Sequence, residues 1–312
     1  MSTDISKLTD QELVDQGFKF YQMEEYSQAF RYLKLAADHN YPKAFCRLAE
    51  CYLSGVGCRE DHALAASTYQ QGMELGDLEC KHNFATLLME GIGVPQDLER
   101  GRQILEECAK ERYPRALFTI GLMHENGVFY EQSYQKAMLF YLRAGLEGAS
   151  EGYYNLAHMY NYGRGVAIDY LKALKYYELS LKPEYAKGYC NIAYIYIKGL
   201  GVDVDYKKAI YYLELGCKYE NSQCYHNLGL LAQHGMGMPK DEKKAFTYFE
   251  KGAYQGNISC CTDLIKCYEL GIGVPMNLKK SKMWRERLNI FKLHRNKEQY
   301  LSGDIVLKYC DS

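Results

Sequence analysis

Seven glycines stand 36 residues apart without a miss: Gly55, Gly91, Gly127, Gly163, Gly199, Gly235 and Gly271. Two residues on, a second series runs Gly57, Gly93, Phe129, Gly165, Gly201, Gly237 and Gly273, with Phe129 the one exception. A fixed period of this length marks a repeat architecture and constrains the fold more than any local motif. The stretches GIGVPQD (91–97) and GIGVPMN (271–277) look like loops that cradle phosphate. Four residues after the second glycine position, however, come Asp61, Asp97, Ser133, Asp169, Asp205, Asp241 and Asn277. All are N-cap types, whose side-chain oxygen takes an orphan N–H of the next helix's first turn. A bound anion would need those same N–H groups, so the glycines read as left-handed turns and not as a nucleotide site.

Four residues beyond each cap is a small side chain: Ala65, Gly101, Ala137, Ala173, Ala209, Ala245 or Ser281. Three further come Thr68, Ile104, Phe140, Tyr176, Tyr212, Tyr248 and Trp284, mostly large rings. This spacing predicts a helix B, roughly Asp61 to Leu75 in the first unit, whose small position lets a neighbour approach closely. Before the glycines lies a helix A. It opens on Ala44, Cys80, Ala116, Gly152, Gly188, Cys224 or Cys260 and carries an apolar residue at Leu48, Phe84, Ile120, Leu156, Ile192, Leu228 and Leu264. The next position is small except in the last unit: Ala49, Ala85, Gly121, Ala157, Ala193, Gly229 and Ile265. One such hairpin cannot bury its own apolar face, so successive units must stack. The expected fold is all-α, a right-handed α-solenoid (superhelix) of stacked antiparallel helix pairs with a 36-residue period.

These marks resemble the Sel-1-like repeat family, relatives of the tetratricopeptide repeats. The likeness is strongest in YYNLAHMYNYGRGVAIDYLKALKYYELS (153–180) and CYHNLGLLAQHGMGMPKDEKKAFTYFEKGA (224–253). Seven units are expected over residues 44–292. Residues 1–43 are expected to hold a divergent, tetratricopeptide-like N-terminal hairpin, with a capping box at Thr9 to Glu12. Residues 293–312 are expected to close the far end. What the resemblance implies is a non-catalytic adaptor or scaffold, in settings such as bacterial signalling, host interaction and membrane-protein quality control. A Cys-rich branch of the family staples each helix B to the next helix A with Cys pairs. Only Cys217–Cys224 has comparable spacing here, and it is one residue out of register. No regular ladder of disulfides is therefore expected, and oxidation of that one pair stays open.

Composition narrows the functional classes. Hydrophobic residues make up 47% of the 312 and charged ones 25%, enough apolar material for a continuous core. With 38 basic against 39 acidic residues the formal net charge is −1, so there is no excess to neutralise a nucleic-acid backbone. The start MSTDISKLTDQELVDQG has no basic segment followed by an apolar run, and no stretch is long enough for a membrane span. The expectation is a soluble cytoplasmic protein without membrane insertion, the alternative being an effector translocated into a host cell. Several of the 12 cysteines occupy slots that are small or apolar in sister units, which reads as packing. No CxxC, HExxH or GxSxG occurs, and His82 and His226 share one repeat slot, so no metal, cofactor or catalytic group is expected.

One helix A position runs Arg47, Asn83, Thr119, Asn155, Asn191, Asn227 and Asp263. An asparagine both donates and accepts, and the resemblance implies that such a ladder holds the backbone of an extended peptide. The other reading is that each Asn bonds a neighbouring repeat. Three and seven residues later the sequence varies: His158 and Tyr162, Tyr194 and Lys198, Leu230 and His234. On a helix these share a face with the Asn, and their Tyr rings suit a protein segment. Asn83, Asn155, His158, Tyr162, Asn191, Tyr194, Lys198, Asn227, Leu230 and His234 are thus the candidate partner-binding residues. The alternative function is a hydrolase or a binder of small, β-lactam-like molecules, as in the Cys-rich relatives. It requires a discrete pocket at the irregular third unit, with His124 and Glu125 converging. In that unit Phe129 and Tyr130 either fold back onto their own helices, which is favoured, or project as an anchor.

Overall fold

The computed structural model describes residues 5–183 and 185–301, with side chains up to Leu293 apart from Ser6. Among the described residues there are sixteen α-helices and no strand, only an isolated bridge between Lys182 and Tyr185. The chain forms two compact units, one ending at Ile120 and the other beginning at Gly121. The first holds α1 (Asp10–Gln22), α2 (Tyr26–Asp38), α3 (Pro42–Ser54), α4 (His62–Glu74), α5 (Leu78–Glu90) and α6 (Leu98–Lys110). The boundary falls within α7 (Pro114–Asn126). The second unit continues with α8 (Tyr134–Leu146), α9 (Ser150–Tyr162), α10 (Tyr170–Leu179), α11 (Gly188–Lys198) and α12 (Tyr206–Lys218). It ends with α13 (Ser222–His234), α14 (Glu242–Tyr254), α15 (Ile258–Leu270) and α16 (Leu278–Leu301). Each unit is a row of antiparallel helix pairs, the α-solenoid arrangement, in which a helix packs on its sequence neighbours. The A helices also touch in succession, α3 on α5, α11 on α13 and α13 on α15.

The turns are built as their residues require. All seven glycines of the first series are left-handed, with φ between 64° and 72°. The following N–H returns to a carbonyl five residues back, as Ile92 does to Leu87 at 3.1 Å, which closes the helix A terminus. Each residue of the cap series accepts the N–H three residues on, from Asp61 with Leu64 at 2.9 Å to Asn277 with Lys280 at 2.9 Å. Ser133, with Lys136 at 3.3 Å, is the longest of these bonds. The second glycine has a further role. A Cβ on Gly93 would lie 2.0 Å from the His62 carbonyl oxygen, and one on Gly273 would lie 2.0 Å from that of Glu242. It is therefore the point where one turn rests on the first residue of the preceding B helix. Phe129 takes the same left-handed conformation, at φ 60°, without being glycine. Tyr130 folds back and stacks on His124, with ring centroids 4.4 Å apart.

The core runs between the helix layers. In the second unit Leu156, Ile192, Leu228 and Leu264 of the A helices are buried, and so are Ala173, Ala209 and Ala245 of the B helices. Tyr rings line this strip, and at equivalent repeat positions a lysine sits over the ring: Lys172 over Tyr160, Lys208 over Tyr196 and Lys280 over Tyr268, at 5.1–5.3 Å. The abundance of Tyr is in part this repeated contact. At the N-terminus Thr9 forms both halves of the expected capping box with Glu12. The backbone of 293–301 prolongs α16, and the remainder of the expected closing segment lies outside the described residues.

Candidate functional site

In the second unit the turn after α9 carries Arg164, in a slot filled elsewhere by Val56, Ile92, Val128, Leu200, Met236 and Ile272. A guanidinium at an otherwise apolar position needs a partner, and it finds one 39 residues back: Nη1 donates to Glu125 Oε1 at 3.1 Å. The Tyr141 hydroxyl donates to the other carboxylate oxygen at 2.5 Å. Burial first, and then the Glu125 charge, push the Tyr141 phenol well above its ordinary range, so it stays a donor. The Glu125 side chain is only 13% exposed, whereas Arg164 is 53% exposed. One end of the ion pair is held in the wall and the other faces solvent.

Beside this pair is a cavity of about 250 Å³, lined by Leu122, Asn126, Tyr154, Asn155 and His158 as well as the two ions. Burial, and then the nearby Arg164, depress the His158 pKa, so the imidazole is neutral near pH 7. His158 packs on Tyr162 with centroids 4.3 Å apart. Both Glu125 oxygens are engaged, and the cavity wall offers hydrogen bonds and ring surface.

The candidate residues are distributed unevenly. Asn155 and His158 line the cavity. Tyr162 and Tyr194 are exposed, 57% and 49%, as are Lys198 and His234. Leu230 is partly buried against the core around Phe249 and Trp284. Asn191 donates to the Tyr154 hydroxyl at 3.1 Å. Asn83, in the first unit, donates to Cys46 Sγ at 3.4 Å, and Asn227 makes no side-chain hydrogen bond among the described residues. His124 and Glu125 do not converge. As helix neighbours they point about 100° apart, and His124 is buried between Tyr130 and Phe140. Its Nδ1 has no partner among the described residues. The next repeat puts Asn161 and Tyr177 in the slots of Glu125 and Tyr141. Both are buried, and among the described residues neither the Asn161 Oδ1 nor the Tyr177 hydroxyl has a partner.

The sequence reading passed over Arg164, Asn126 and Tyr154. Arg164 alone left a signal, a charge in an otherwise apolar slot. In the first unit Cys46, Glu50 and Glu79 bring a sulfur and two carboxylate oxygens within 4.8 Å of one another. The Arg47 guanidinium already holds the carboxylates, Glu50 at 2.7 Å and Glu79 at 3.3 Å. Among the described residues no helix is long and apolar enough to cross a membrane.

Comparison with known proteins agrees with this architecture. A family model described as Sel1 repeat matches residues 15–41, 42–77, 80–111, 114–148, 150–182, 186–218, 222–257 and 266–287. The first of these falls on the N-terminal hairpin. A Sel1 repeat protein from Oxalobacter formigenes superposes with a TM-score of 0.67 at 23% identity, over 77% of this chain and 99% of that one. A protective antigen of uropathogenic Escherichia coli with an SLR fold gives 0.64 at 24% identity, over 97% of this chain and 68% of that one. Among curated proteins, chitin synthase regulatory factor 3 of Schizosaccharomyces pombe is 27% identical over 106 residues, 34% of this chain. That match spans only 11% of the yeast protein's length.

Proposed function

The chain belongs to the Sel1 repeat family, whose members generally mediate protein–protein interaction, and from that premise we propose that it is a non-catalytic scaffold docking a segment of a protein partner across α9, α11 and α13. The setting proposed is that of an adaptor in signalling or host interaction. The observation that carries the reading is the row formed by exposed Tyr162, Tyr194, Lys198 and His234 beside the cavity at Asn155 and His158. Exposed Tyr rings bury large area at low entropic cost, and a recessed polar cavity next to them suits one anchoring side chain. Glu125 and Arg164 give that cavity a fixed dipole, which favours a hydrogen-bonding group over an aliphatic one.

The test replaces three exposed groups of this face. Tyr162→Ala, Tyr194→Ala and Lys198→Ala are combined in the full chain, and partners are captured on wild type and variant from lysates of its own cells and of a host. The reading expects specific partners to drop at least tenfold on the variant while helicity and Tm stay at wild-type values. Equal capture by both proteins would exclude this face.

A further inference from the structure

Cys190 on α11 and Cys224 on α13 bring their Sγ atoms to 2.7 Å. That separation falls between the about 2.05 Å of a disulfide bond and the about 3.5–4.0 Å at which unbonded carbon atoms rest. The repeat frame places both residues on successive A helices, which touch each other. Four periods earlier, Cys46 and Cys80 occupy the same two slots in the first unit. Cys217, the partner that spacing alone suggests for Cys224, makes no such sulfur contact among the described residues.

The two thiols differ in access. Cys190 is partly exposed and its thiol faces the Asn221 side-chain oxygen at 3.8 Å. Cys224 is fully buried, seated on Gly216, where an added Cβ would come within 2.3 Å of its sulfur. One thiol can therefore meet a small oxidant, and the other is held against it.

We propose that Cys190 and Cys224 are a modification site that closes reversibly to a disulfide at the expense of a low-molecular-weight disulfide such as oxidised glutathione. The Cys190 thiolate attacks one glutathione sulfur, a mixed disulfide forms, and the first glutathione leaves as thiolate. The Cys224 thiolate then attacks the Cys190 sulfur, the protein disulfide forms, and the second glutathione leaves. The two cysteines are oxidised, one glutathione disulfide is reduced, and the two protons released by the cysteines end on the two glutathiones. The bond would tie α11 to α13, the helices that carry Asn191, Tyr194, Asn227 and Leu230, and so set the spacing of two rows of the exposed face.

The experiment equilibrates the folded full-length chain in graded mixtures of oxidised and reduced glutathione, blocks remaining thiols by alkylation, and maps linkages by mass spectrometry. The expected product joins the Cys190 and Cys224 peptides, with an intact mass lower by about 2 Da and reversal by dithiothreitol. Oxidised protein should melt higher than reduced protein. Cys224→Ala should trap the glutathione adduct on Cys190, and Cys190→Ser should leave Cys224 unmodified, with circular dichroism confirming that both variants fold. A lasting adduct on Cys190 in the wild type with Cys224 still free, a preferred bond to Cys217, or no oxidation under conditions that oxidise other protein dithiols would each overturn the assignment.

Discussion

The side-chain amide of Asn191 donates to the hydroxyl of Tyr154, 37 residues earlier, at 3.1 Å. The same separation recurs between Asn83 and Cys46, between His82 and Thr119 at 3.4 Å, and between His226 and Asp263 at 3.0 Å. One period plus one residue links neighbouring A helices, so these polar pairs are rungs bracing one repeat against the next. Much of the asparagine series therefore serves the scaffold, and the exposed tyrosines beside it remain open for contact.

If the rungs brace the stack, Asn191→Ala should lower stability by about 0.5–1.5 kcal/mol, the net worth of one hydrogen bond. Asn227→Ala removes no such bond and should change it by no more than a few tenths. Urea denaturation of the two variants decides, and equal losses would refute the distinction.

Gly93→Ala should be among the most damaging single substitutions in the first unit. The new Cβ would sit 2.0 Å from the His62 carbonyl oxygen on a residue at φ 71°. A backbone atom cannot rotate away, so the loss should exceed about 2 kcal/mol. A thermal melt within a degree of wild type would show that the turn does not rest on α4.

Volume is shared between two slots of adjoining helices. Gly72 faces Cys80, Gly216 faces Cys224 and Gly252 faces Cys260, each with an added Cβ within 2.4 Å of the sulfur. Where the B helix instead carries Cys108, the A helix slot holds Ala116. Gly216→Ala should destabilise by about 1–3 kcal/mol through overpacking. Adding Cys224→Ala should restore part of that loss, and a double-mutant cycle with no coupling would contradict the exchange.

Glu220→Gly should stabilise. Glu220 is left-handed, at φ 61°, in a slot where Gly76, Gly148 and Gly256 have open space around an added Cβ. Relief of the left-handed penalty outweighs the entropy cost of glycine, for a gain of about 0.5–1 kcal/mol. The midpoint of chemical denaturation reads it directly, and a lower midpoint would show that the side chain contributes a contact.

Acidification should weaken the fold before its carboxylates titrate. Burial is the largest cause depressing the His82, His124 and His158 pKa values, and nearby cations add to it. A depressed folded-state pKa means that the unfolded chain binds the proton first. The stability contribution is complete above the ordinary histidine value of about 6.5 and is lost as pH falls below it toward the folded values. The Tm should drop between pH 7 and 5, and His158→Gln should flatten part of that slope. An unchanged slope in the variant would place the effect on the other histidines.

The turns, caps and core slots were legible before any coordinates because each depends on residues within one helix pair. A glycine at φ near 70°, a carboxylate three residues before an N–H, and an alanine facing a neighbouring helix all repeat wherever their short pattern repeats. Thirty-six residues of spacing therefore sufficed for an all-α stack and for the places where its helices start and stop. The partners at longer range were not legible. Arg164 meets Glu125 across 39 residues, Cys190 meets Cys224 across 34, and His124 turns inward while Glu125 beside it faces the cavity. Those pairings depend on how far each repeat shifts and rotates against the last, a quantity set by packing between repeats. A one-dimensional pattern records which slots are apolar; which side chains touch across two slots is settled only once the stack has formed.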